Sequence, residues 1–158
     1  MNSKTAATIA AIFIAAATGV AGDNLLPNGN FDLVDKGQPR HWDKDDKLTS
    51  FWISEPGRGT ILKLDSRVDR NQALAWWDTL KKNPLATPPI PIIPQKPLQS
   101  VGANEGTFID SDTIPVTPGQ NYQLSVDYKG PVQPFVWIKG FMLHPVRNIL
   151  IDSYQTRL

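Results

Sequence analysis

Trp42, Trp52, Trp76, Trp77 and Trp137 are the side chains with the plainest chemical use in this chain. Flat aromatic rings stack on the C–H faces of sugars, so exposed tryptophan is what a glycan-binding surface needs. Core packing is the competing use, and the strand-like surroundings of Trp42 and Trp137 favour it there. Trp76 and Trp77 are neighbours beside a proline-rich stretch. In an extended segment they point to opposite faces, which leaves at least one of them outward. They are the candidate ligand contacts.

Residues suited to catalysis are thinly spread. Glycoside hydrolysis needs two carboxylates facing each other across a cleft. The glutamates, Glu55 and Glu105, each precede a proline or glycine in an expected loop. His41 and His144 are far apart and lack metal-ligand spacing. Ser111 lies between two aspartates without the glycines of a nucleophile elbow. Cysteine is absent, which excludes thiol catalysis and thiolate zinc sites. Asp43, Asp45 and Asp46 are dense enough in acid to suggest calcium, but Lys44 and Lys47 dilute the run and it reads as a solvated turn. These patterns point away from an enzyme.

The first residues are organised for export. Lys4 precedes an apolar run from Ala6 to Ala17, and Gly19 and Ala21 occupy the two small positions a signal peptidase requires. The run is too short for a spanning helix. Residues 1–21 therefore read as a cleaved signal peptide, leaving 22–158 as the mature part in a secreted, periplasmic or cell-envelope location. Removing Lys4 takes the basic count from 16 to 15, against 15 acids. A near-neutral surface gives no electrostatic reason to expect nucleic acid or a membrane as partner after cleavage.

The elements that must hold these side chains are short. Fourteen prolines and eleven glycines punctuate a 158-residue chain, and strand-like runs recur between them. Asn121–Tyr128 alternates Tyr, Leu, Val and Tyr with polar residues, the pattern of a half-buried strand. Thr117-Pro118-Gly119-Gln120 supplies the turn before it. Phe135–Phe141 follows as its hairpin partner. Leu48–Ser54, Thr60–Leu64 and Asn148–Asp152 are further strands, with short pieces at Thr107–Ile109 and Ile114–Val116. Ala73–Lys82 suits either state and is assigned to strand or irregular structure. Asn83–Pro97 has six prolines in fifteen residues, so it is a polyproline-like surface loop inserted in a single domain.

Three of these stretches resemble family 4/9 type carbohydrate-binding modules. Asn24–Asp32, NLLPNGNFD, is similar to their opening strand. Gly37–Trp42 resembles the Pro-x-x-Trp segment that follows, and Ile114–Tyr128, IPVTPGQNYQLSVDY, resembles their mid-domain Val-x-Pro-Gly turn and strand. The resemblance implies an all-β fold, an antiparallel jelly-roll β-sandwich of the galactose-binding-like kind. It also implies a structural calcium, for which Asp32 is the one residue that matches the motif. The closing strands of such modules find no counterpart before Leu158, so the sandwich is expected to lack its last strands. The function implied is a non-catalytic, exported module that binds glycan or cell-envelope polysaccharide. The competing class is a structural or protein-interaction module of the cell envelope without sugar binding.

Overall fold

A computed structural model describes residues 24–147 and 149–157. Residues 1–21, the expected signal peptide, lie outside the described residues. Among the described residues the chain is β-rich, with one α-helix and three two-stranded antiparallel sheets. It packs as two compact units, one ending at Pro115 and one beginning at Val116. No helix among the described residues is long and apolar enough to cross a membrane.

In the first unit, β1 (Val34–Asp35) pairs with β2 (Gln38–Pro39) through Lys36 and Gly37. Both turn residues have positive φ, 52° and 80°, the mirrored turn whose twist matches that of the flanking strands. Next, β3 (Ser50–Glu55) pairs with β4 (Gly59–Leu64) in continuous register, from Ser50 opposite Leu64 to Glu55 opposite Gly59. These two strands match the expected ones to within two residues.

Arg70–Lys82 is a helix, α1, where strand or irregular structure was expected. The physical reason is the stripe Ala73, Trp76, Trp77 and Leu80, spaced i, i+3, i+4, i+7, which one helical face can bury. Asp69 caps the start by accepting from the Gln72 amide at 3.0 Å, and Lys81 and Lys82 complement the dipole at the end. The stripe packs with Leu48, Val68 and Val101 to form the core of the unit, with Ala86 alongside.

Asn83–Pro97 carries no strand ladder. Two short 3-10 turns follow it, Pro97–Gln99 and Val101–Ala103. They are held against the segment before the helix by Val101 N–H donating to the Val68 carbonyl and Gly102 N–H to the Ser66 carbonyl. Neither Thr107–Ile109 nor Ile114–Val116 is a strand. Residues 41–43 and 110–112 run antiparallel instead, joined by a bridge between Trp42 and Ser111.

In the second unit, β5 (Trp137–Leu143) pairs with β6 (Leu150–Arg157), with a bulge opposite Gly140 and Phe141. The expected hairpin was different, pairing Asn121–Tyr128 with Phe135–Phe141. Residues 121–128 are exposed and have no ladder, and the strand paired with β5 is β6. The Thr117–Gln120 turn forms as expected, with Gly119 at φ 81°. The Tyr122 hydroxyl closes it by accepting the Thr117 N–H at 2.7 Å. Trp137, expected in the core, is 51% exposed, since a two-stranded ribbon has no second layer to cover it.

Gly102 is required by close approach. A Cβ there would lie 2.6 Å from the Ser66 Cβ and 2.8 Å from its carbonyl oxygen. The hydrogen bond from Gly102 N–H to that carbonyl, 2.9 Å, keeps the two backbones from separating. Gly102→Ala is expected to lower the unfolding free energy by about 1–3 kcal/mol in a urea titration.

Candidate functional site

Trp76 and Trp77 lie one residue apart on α1, so their rings diverge by the helical turn and not by the alternation of a strand. Trp76 is 5% exposed and belongs to the core, while Trp77 is half-buried. Both indoles are fixed by one residue. Trp76 Nε1 donates to the Asp46 carbonyl and Trp77 Nε1 to its carboxylate, each at 2.6 Å.

Asp46 is not the solvated turn residue its neighbours suggested. Its Oδ1 accepts the amides of Leu48, Thr49 and Ser50 at 2.9, 2.6 and 2.8 Å. Its Oδ2 accepts the Thr49 hydroxyl as well as the Trp77 indole. Burial pushes the carboxyl pKa up, but the hydrogen bonds from Thr49, Trp77 and the amides of Leu48 and Ser50 outweigh it and hold the value below the ordinary one. Of the buried polar side chains, the Thr49 hydroxyl donates to this carboxylate and the Ser50 hydroxyl accepts the Asp46 amide at 2.9 Å.

Beside Trp76 is a groove of about 280 Å³ between α1 and the proline-rich segment. Gln72, Ala75, Thr79, Thr87 and Pro89 complete its lining. Trp76 contributes little surface to it, being 5% exposed. The groove combines an apolar floor with two threonine hydroxyls, of which that of Thr79 donates to the Ala75 carbonyl at 2.8 Å. Its walls come from a capped helix and a hydrogen-bonded loop, so its shape is set before any ligand arrives. A larger hollow of about 460 Å³ lies on the β5–β6 ribbon, lined by Lys139, Phe141, Asp152, Ser153, Tyr154 and Gln155.

The opening motif folds around Asn28. Its side chain donates to the carbonyls of Leu33 and Arg40 and accepts the Leu33 amide, at 3.1, 2.9 and 2.8 Å. Its carbonyl accepts the Trp42 indole at 3.0 Å. Left-handed backbone falls on Asn28 and Phe31, with φ of 54° and 61°. That geometry carries a cost for a bulky aromatic, and packing offsets it: the Phe31 ring centroid is 5.0 Å from that of Trp42 and 4.9 Å from that of Trp52. Trp42 is half-buried in this cluster and lies outside the buried core.

Asp32, the implied calcium ligand, is exposed, and its Oδ2 accepts the Asn30 amide at 2.6 Å. Among the described residues no three His, Cys, Asp or Glu side chains gather as a metal-binding group. Asp32 supplies one carboxylate, and a calcium there needs carbonyls and water for the rest of a shell of about six to eight oxygens. The His41 Nδ1 lies 2.9 Å from Asp112 Oδ2 across the 41–43/110–112 pairing. Ser111 Oγ donates to the Asp112 carbonyl and not to the imidazole. His144 Nδ1 accepts the amides of Val146 and Arg147, a turn-capping role.

Comparison with known protein families, with curated proteins and with solved structures finds no match. The sequence singles out Trp76 and Trp77, of which Trp76 lies in the core and Trp77 outside the groove lining; Asp46 and the polar groove residues Gln72, Thr79 and Thr87 are not singled out by it. The signal was present in the Ala73–Trp76–Trp77–Leu80 spacing and in Asp69 followed three residues later by Gln72, a helix start.

Asp46 gives a pH dependence with a definite sign. A carboxyl whose pKa is lower in the folded than in the unfolded state stabilises the fold above the ordinary carboxylate range. That stabilisation is lost as pH falls through the folded-state value, below about pH 4. Asp46→Asn keeps one oxygen for the three amides but sets an NH2 group against the Trp77 N–H. Urea titrations are expected to show a loss of about 1–3 kcal/mol at pH 7, with the gap to wild type narrowing towards pH 3.

Proposed function

We propose that this chain is a non-catalytic carbohydrate-binding-like module of an exported protein, secreted or held in the cell envelope, and that it belongs to the galactose-binding-like jelly-roll sandwiches. The groove beside Trp76 is the observation that carries the reading. It is preformed and shallow, with an apolar floor for a sugar C–H face and threonine hydroxyls at its margin. The half-exposed Trp77 ring is the neighbouring aromatic contact. A structural calcium resting on Asp32 belongs to the same reading. Antiparallel pairing throughout the described strands supports the sandwich.

One observation favours the second reading, a structural or protein-interaction module. Tyr122, Leu124, Val126 and Tyr128 are between 44% and 55% exposed, an apolar row suited to a protein partner.

Truncating Trp76 removes a core residue, so it confounds loss of binding with loss of fold. Ala75→Arg and Thr87→Arg fill the groove from exposed positions instead. On a glycan array the wild type is expected to bind, and each arginine variant to lose about tenfold or more in affinity with its melting curve unchanged. EGTA is expected to lower the wild-type melting temperature if calcium rests on Asp32. Absence of binding by wild type removes the carbohydrate reading in favour of the second one. Unchanged binding by both variants removes the groove.

A further inference from the structure

The segment between α1 and the 3-10 turns has a regularity that the groove does not use. Pro88, Pro91, Pro94 and Pro97 recur at every third residue. Polyproline II turns once in three residues and rises about 3.1 Å per residue, so such prolines share one edge, spaced about 9 Å apart. A second edge carries Ile90, Ile93 and Lys96. The third carries Pro89, Ile92 and Gln95. Residues 86–94 belong to neither helix nor strand.

The backbone at Ile90 and Ile92 is tied to the helix. Gln72 Nε2 donates to the Ile90 carbonyl at 2.8 Å, and Gln72 Oε1 accepts the Ile92 amide at 2.7 Å. One side-chain amide thus stands in for a neighbouring strand. The Asp69 amide donates to the Ile92 carbonyl at 2.7 Å. Side chains on all three edges reach solvent, and the half-buried ones are Pro88 and Pro94. Ile90 is 88% exposed and Ile93 53%, Pro91 and Lys96 are exposed, and Pro94 is half-buried. Two hydrophobe–proline pairs, Ile90-Pro91 and Ile93-Pro94, therefore stand one helical turn apart, with a cation two residues beyond the second.

We propose that Ile90–Lys96 is a preorganised ligand for a proline-recognising protein domain. Its groove would be floored by aromatic rings that form two adjacent slots, ending at an acidic rim. Rings fit the flat, rigid face of a proline and its preceding hydrophobe. The spacing of the two pairs sets the spacing of the slots, and Lys96 selects the acidic rim. Because Gln72 and Asp69 already hold the strap, little ordering entropy remains to be lost on docking.

The test titrates the isotope-labelled full chain with a purified SH3 domain that has an acidic specificity pocket, followed by NMR. Chemical-shift changes are expected in the amides and methyls of Ile90, Ile92 and Ile93, in the Lys96 amide and in the Gln72 side-chain amide. The Pro91→Ala/Pro94→Ala variant is expected to lose binding. Lys96→Glu, an exposed change that leaves the strap intact, is expected to weaken it about tenfold. Circular dichroism melts of both variants establish that the fold is retained. The proposal is overturned by absence of shifts up to about 1 mM domain, by shifts confined to residues outside 85–98, or by unchanged affinity of Lys96→Glu.

Discussion

The carboxylate of Asp46 accepts three successive backbone amides, a threonine hydroxyl and an indole N–H, while its own carbonyl accepts a second indole. The start of β3 and the middle of α1 are joined through this one residue. Leu48 enters the core because the turn above it is closed, and Trp76 enters because its N–H has a partner there. A buried indole without an acceptor costs about 1–3 kcal/mol, a large fraction of the stability of a small domain. The few buried apolar side chains of this unit make that hydrogen-bonded junction weigh more than it would in a larger core.

From the junction the architecture spreads outward along α1. Its first turn fixes the strap through Asp69 and Gln72, and its middle fixes β3 through the tryptophans. Arg70 extends the same logic at the surface, where its guanidinium holds the Glu105 carboxyl below the usual range. The pair is exposed, so it contributes little to stability and orients the loop after the 3-10 turns. Groove and strap are thus two sides of one loop, which owes its course to a single helical turn.

Local chemistry was legible in the residues. The Pro118-Gly119 turn, the tyrosine that closes it, the strands at β3 and β4 and the open course of the proline-rich loop all follow from short-range rules. Asn28 was legible as a turn residue, yet positive φ falls on Asn28 and Phe31 and not on Gly29, because the side-chain amide of Asn28 bonds across the loop. The helix was missed by weighing the β preference of two tryptophans above the spacing of four apolar residues. The pairing of 121–128 was not legible at all. Alternation describes one strand, whereas a ladder needs a neighbour chosen by distant parts of the chain. Asp46 was misread for a related reason: the two indoles it holds lie some thirty residues away, and a run of acids and lysines resembles a wet surface until the tryptophans close over it.

The β5–β6 ribbon has a meaning for the behaviour of the protein in bulk. A sheet of two strands has two open edges, each with a row of outward amide and carbonyl groups. Both faces carry large apolar side chains, among them Phe141, Leu143 and Tyr154. The bulge at Gly140 bends the ribbon, and Arg157 lies over the Phe135 ring at 4.4 Å, which places one charge beside the final strand. These are the usual defences of an edge against its own kind, and here they guard only one end. An edge of this kind is a template on which a second copy of the ribbon could pair as protein concentration rises.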